Sequence, residues 1–260
     1  MRGKTHCAIG ILTAIQTSLI FKIPISLVDI LVSATFAVLP DLDKSNSMVS
    51  NFILKNNVSK YIYRIFIYAV NIIIFFISIN INDNFYLSAI ITFVAIIIIE
   101  AKLTHTFLRK VFLSLIFILL AICLYIIEVE IYFTIFCLML SIFPWLKHRS
   151  FSHSIFATII VYFLLKQIEL ITNINNLSFY GTIGYASHMF LGDLFTKQGI
   201  PIFYPLSEKK ISLGFLTVGG PFSNFIEKSF IFCTYRINYI FNIKTISILK
   251  TVYLHFVDGL

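Results

Sequence analysis

Four short stretches hold most of the residues able to bind a metal: Thr5-His6, Pro40-Asp41-Leu42-Asp43, His148-Arg149-Ser150-Phe151-Ser152-His153-Ser154, and Ser187-His188 with Asp193. Imidazole nitrogens and carboxylate oxygens are the donors that zinc, manganese and magnesium sites use. An ion held among them would polarise a substrate oxygen and acidify water, which is the chemistry of metal-assisted hydrolysis. An Asp or His of the same set could take the proton. Arg149 carries a permanent charge whose fork matches phosphate oxygens.

Spacing sets expectations for each stretch. Pro40 disfavours helical geometry at Leu39, so Asp41 and Asp43 are expected on extended backbone, both facing one side. Ser150 or Ser152 can cap the helix that follows, with His153 in its first turn. His188 lies inside an apolar segment, where an ionisable group is costly and marks function by default. His188 and Asp193 are five residues apart, about 140° around a regular helix. Either the helix breaks near Gly192 or the two have different roles. Taken singly, each stretch also has an ordinary reading: a solvated cap at Asp41 and Asp43, a headgroup-bridging loop around His148, an interhelical hydrogen bond at His188. His6 alone would be an interface histidine. His105 and His255 are read as outside the site.

Apolar segments must position these groups. The chain is 58% hydrophobic and 12% charged, against about 25% charged in soluble domains. Apolar runs cover 62–79, 85–103, 111–127, 131–146, 155–171 and 180–195, with shorter ones at 7–21 and 25–39. Several approach the roughly 20 residues that cross a bilayer. Residues 225–243 and 246–257, interrupted by Arg236, Asn238 and Lys250, read as interfacial or half-buried. The fold class expected is all-α, a polytopic transmembrane bundle in one integral membrane domain over 1–260, with the motifs within about 1–227.

The net charge of +8 flanks apolar runs and forms no basic stripe with interleaved aromatics, so nucleic acid is not an expected partner. Cys7, Cys123, Cys137 and Cys233 form no CxxC pair and read as small core residues. Arg2 and Lys4 place the N-terminus in the cytoplasm. Basic turns then alternate with turns lacking Lys and Arg, such as 80–84 and 172–178. Every motif stretch falls on the cytoplasmic side. A charged start followed by an apolar run also fits a signal peptide, but no small-x-small cleavage site follows Phe21.

Together these pieces resemble the YdjM-like family of predicted membrane-bound, metal-dependent hydrolases. The likeness is in motif order: Thr5-His6; Leu39-Pro40-Asp41-Leu42-Asp43 with Ser45 and Ser47; His148-Arg149 leading to Ser152-His153-Ser154; Ser187-His188; Asp193-Leu194-Phe195-Thr196; Gly199; and Tyr204-Pro205-Leu206-Ser207. It departs at Ser150, where Gly commonly follows the Arg, and at Lys44, where a His often follows the second Asp. The segment around Gly219, Gly220 and Glu227 is a looser match.

The resemblance and the residues lead to one expectation. His6, Asp41, Asp43, His153, His188 and Asp193 converge at the cytoplasmic mouth of the bundle around one or two divalent ions. Zinc is favoured and manganese is the alternative. Arg149 and His148 are the catalytic candidates, with His148 as a further ligand or an acid/base group. The expected partners are the lipid bilayer of the inner membrane and a small-molecule or lipid substrate, with no protein partner indicated. The competing class is a non-enzymatic metal carrier, sensor or assembly factor.

Overall fold

The computed structural model describes residues 3–214, with Ser229 and Phe232 beyond them. Apart from those two residues, the segments expected at 225–243 and 246–257, with Glu227, lie outside the described residues. Among the described residues the fold is all-α, with no β-strand. Nine α-helices run in order: α1 Gly3–Phe21, α2 Leu27–Phe36, α3 Met48–Ile53, α4 Asn56–Asn82, α5 Phe85–Lys102, α6 His105–Ile126, α7 Ile131–Ile142, α8 Ile155–Thr172 and α9 Leu177–Ser187.

Helices α4, α5, α6 and α8 are long and apolar enough to cross a membrane. Their outer faces explain why water is the wrong solvent. Phe76, Phe93, Leu119 and Phe163 each stay more than half exposed. Such a continuous apolar surface on four helices needs lipid to cover it. Helices α2, α7 and α9 have 10, 12 and 11 residues, short of the roughly 20 a full crossing takes.

Side chains at the helix ends set the boundaries. Ser26 and Asp29 form a capping box on α2, while Asn84 and Thr104 cap α5 and α6. Each cap satisfies an amide that the first turn leaves without a partner. Helix α8 is capped by Ser154, not by Ser150 or Ser152. Their hydroxyls are committed elsewhere, Ser150 to the Lys147 carbonyl and Ser152 to Asp43. His153 therefore precedes the helix, in a 3-10 turn of Phe151–His153.

Small residues let three helices meet at one end of the bundle. A side chain at Gly184 on α9 would collide with the Ser33 carbonyl on α2 and lie 2.8 Å from the Ser33 Cα. Ser33 in turn donates to the Gly10 carbonyl of α1 at 3.0 Å. Such close backbone approach between membrane helices depends on residues this small. It brings together the start of α1 (His6), the turn that follows α2 (Asp41) and the turn that follows α9 (His188).

Arg109, near the start of α6, is fully buried. Its guanidinium donates to the side-chain oxygens of Asn46, Asn51 and Asn56 and to the Leu54 carbonyl. Four neutral acceptors thus tie α6 to the segment that follows Asp43.

Candidate metal centre

Two irregular turns aim the donors. The chain passes from α9 into a π turn over His188–Gly192, and the Asp193 amide bonds the His188 carbonyl. Five-residue hydrogen bonding stacks residue i+5 over residue i, so the 140° expected of a regular helix disappears. His188 and Asp193 face the same way. The second irregularity is a 3-10 turn over Leu39–Asp43, with Pro40 at its start. This corrects the extended stretch expected there. Proline's missing amide is tolerated in a first helical turn, and its fixed φ suits it. Residues two apart do not share a side in such a turn, so Asp41 and Asp43 diverge.

Three donor atoms converge. His153 Nε2 lies 3.1 Å from His188 Nε2 and 3.2 Å from Asp193 Oδ2, and His188 Nε2 lies 3.7 Å from that same oxygen. A point equidistant from these corners lies about 2 Å from each, and zinc bonds nitrogen and oxygen at about 2.0–2.2 Å. His6 stacks on His188 with centroids 3.8 Å apart and places Nε2 3.8 Å from Asp193 Oδ1. Asp41 Oδ1 is 4.0 Å from His188 Nε2. Two groups, His6 with His188 and Asp193, and Asp41 with His148 and His153, are spaced so that each could hold a metal ion.

Hydrogen bonds behind the donors fix which nitrogen is free. His188 Nδ1 faces the Ala37 carbonyl at 2.8 Å. His153 Nδ1 faces Asp43 Oδ2 at 3.2 Å. With the proton on Nδ1 in both rings, both Nε2 atoms present lone pairs to each other and to a carboxylate. Such a cluster is repulsive unless a cation sits in it. His6 Nδ1 is buried without a hydrogen-bond partner. The donor set and this orphaned nitrogen fit a divalent metal.

In the absence of a metal, the electrostatics supply a proton instead. Burial lowers the His153 pKa, but hydrogen bonds and charge from Asp193 and Asp43 outweigh it and push the imidazole up to about 10. Burial raises the Asp43 and Asp193 carboxyls, and the surrounding histidines reverse this. His148 and His153 hold Asp43 well below the usual carboxylate range. His153, His188 and His6 do the same for Asp193.

Asp43 stands behind the cluster. It accepts from Ser152 Oγ at 2.6 Å and from the Arg149 amide at 3.2 Å, and its Oδ1 meets His148 Nδ1 at 2.7 Å. Arg149 has a left-handed backbone (φ +59), which costs a non-glycine residue about 1–2 kcal/mol. Its amide bond to Asp43 and its guanidinium bonds hold it there. Nη2 donates to Asp193 Oδ1 at 2.8 Å and Nη1 to Thr196 Oγ1 at 2.7 Å.

The structure thus brings His6, Asp41, His153, His188 and Asp193 around one volume, with Asp43 and Arg149 one layer out. His148 is the most exposed of these residues, its side chain 34% accessible. The sequence marks Gly192 as a point where the helix could break and Thr196 as part of a motif, but gives neither a partner and does not single out the Ala37 carbonyl. A side chain at Gly192 would meet His6 Cε1 and lie 2.6 Å from His6 Nδ1. Its place just before Asp193, where an apolar run ends, was the available signal. Backbone carbonyls such as Ala37 leave no trace in residue identity.

The pattern of the YdjM inner membrane proteins matches residues 1–254. This chain belongs to that family. Its bilayer is therefore the inner membrane, and the long apolar helices α4, α5, α6 and α8 fit that placement. No curated protein and no solved structure matches the chain.

Proposed function

We propose that this chain is a metal-dependent hydrolase of the inner membrane, working at the cytoplasmic surface on a phosphoester. The single observation that carries the reading is the triangle of His153 Nε2, His188 Nε2 and Asp193 Oδ2. Its edges of 3.1, 3.2 and 3.7 Å suit three corners of a tetrahedral site. Asp41 and His148 stand on the more accessible side of these donors. His6 and Asp41 complete the donor set. Asp43 orients His153 by the carboxylate–histidine pairing common behind metal ligands. Zinc fits the imidazole and carboxylate donors best, and manganese is the alternative.

A divalent ion there supplies Lewis-acid polarisation and a more acidic water. The protein supplies proton transfer and position. His148 has Nδ1 on Asp43 and a half-buried ring, which leaves Nε2 to take a proton from water. Asp43 stabilises the imidazolium that results. The water oxygen bonds to phosphorus, the ester P–O bond breaks, and His148 returns the proton to the leaving oxygen. Arg149, bonded to Asp193 and Thr196, steadies the carboxylate. The cytoplasmic placement rests on the basic residues at this end of the bundle, including Lys102, Arg109, Lys110 and Lys147.

A carrier needs ligands near the bilayer midplane with access from both faces. All donors here lie at one end of the helices, which favours an enzyme. The test is metal content of purified protein, with metal-dependent hydrolysis of a generic phosphoester such as p-nitrophenyl phosphate. Wild type should retain metal and hydrolyse the ester, and His188→Ala should lose both. Full metal occupancy in His188→Ala would overturn the site.

A further inference from the structure

We propose that Lys147, Arg149, Tyr204 and Lys210 form a phosphate-binding subsite beside the metal centre, making the substrate a phosphate ester of the membrane surface. This rests on the hydrolase reading and names its substrate class. A cavity of about 90 Å³ is lined by Lys147, Arg149, Ser150, Tyr204, Glu208 and Lys210. That volume admits a phosphate-sized group.

Charge selects an anion. Three cations face one carboxylate in the cavity wall, and neither Lys147 nor Lys210 is ion-paired with Glu208. Both lysines are exposed at the rim, while Arg149 forms the buried wall. The Arg149 Nη1 and Nη2 atoms have acceptors, but its buried Nε has none. A buried charged donor without an acceptor is costly. A phosphate oxygen that reaches Nε would satisfy it with a single charge-assisted hydrogen bond.

Position ties the cavity to the chemistry. Arg149 Nη2 lies 2.8 Å from Asp193 Oδ1, and Asp193 Oδ2 lies 3.2 Å from His153 Nε2. Arg149, which lines the cavity, therefore contacts the carboxylate that forms one corner of the donor triangle. Trp145, Phe203 and Leu206, each within two residues of a lining residue in the chain, carry exposed apolar side chains, the last 80% exposed. Aromatic and apolar residues at this level suit the headgroup zone of a bilayer. They favour a lipid phosphate over a freely soluble one.

Calorimetric titration of inorganic phosphate into detergent-purified full-length protein tests the subsite, with metal and after chelation. Saturable binding is expected in both forms. Lys147→Ala/Lys210→Ala should weaken it by about tenfold or more, with bound metal unchanged. Lys197→Ala/Lys209→Ala, outside the cavity, should leave it as in wild type. A short-chain phosphatidic acid should displace the phosphate better than glycerol phosphate. Equal displacement would assign the same subsite to a soluble phosphoester. No saturable binding, binding only when metal is present, or equal weakening by both double variants would overturn the proposal. Because binding is read without turnover, intact phosphate binding in a protein that hydrolyses nothing would sink only the hydrolase reading.

Discussion

His188 and Asp193 stand five residues apart in the chain, yet Nε2 of one lies 3.7 Å from Oδ2 of the other. The π turn over His188–Gly192 is responsible, since an α-helical turn would send the two side chains to different faces. Gly192, within this turn, sits against the Cε1–Nδ1 edge of the His6 ring. One irregular turn thus places two donors and leaves room for a third.

Gly192→Ala tests that room. The added methyl would displace His6, whose ring has little space between Gly192 and His188. Metal affinity should fall several-fold while the helices persist, read by competition with a chromogenic chelator and by circular dichroism. Gly184→Ala should act differently, by forcing α9 from α2. Overpacking of this kind costs about 1–3 kcal/mol, so a lower thermal midpoint in detergent is expected. An unchanged midpoint would mean that the Ser33 contact is not tight.

Asp43→Asn keeps the shape and removes the charge that orients His153. Loss of such a carboxylate behind a ligand typically lowers metal affinity about 10–100-fold. The measurement is metal dissociation of the variant against wild type. Ser152→Ala, which removes one hydrogen bond to the same carboxylate, should have a smaller effect. Reversal of that order would place Asp43 outside the metal centre.

The pH dependence has a definite sign. In the metal-free protein His153 keeps its proton until about pH 10. Metal must displace that proton, so affinity should rise with pH across the neutral range, with proton release on binding. Titration in buffers of different ionisation enthalpy measures it. For folding, the raised His153 pKa adds stability that is full below its unfolded value of about 6.5 and is lost as pH rises through about 10. The depressed Asp43 and Asp193 add stability above their ordinary value near 3.9, lost as pH falls. Burial holds His6 well below its ordinary value of about 6.5, which removes stability as pH falls below that value, so the chelated protein should be most stable near pH 6.5. A thermal midpoint that climbs steadily toward pH 10 would contradict this.

Arg109→Lys should not rescue the loss caused by Arg109→Ala. The guanidinium reaches Asn46, Asn51, Asn56 and the Leu54 carbonyl from one planar fork, which an ammonium cannot do. Both variants should lose about 2–3 kcal/mol of stability. Thermal unfolding in detergent, with protease sensitivity of the segment 44–56, is the readout. A Lys variant as stable as wild type would show that only charge matters there.

The sequence by itself determined the solvent and the class of fold. Hydropathy and charge are local quantities, so apolar runs of bilayer length and their basic flanks are legible residue by residue. They marked α4, α5, α6 and α8, and they put the imidazoles and carboxylates at helix ends. Tertiary structure alone decided which donors meet. Asp43 contacts Arg149 and Ser152 across separations of 106 and 109 residues, and His188 meets the Ala37 carbonyl across 151. The divergence of Asp41 from Asp43 and the alignment of His188 with Asp193 depend on a 3-10 turn and a π turn. Such turns form where packing of α1, α2 and α9 overrides local backbone preference, and no pattern of neighbouring residues encodes that packing.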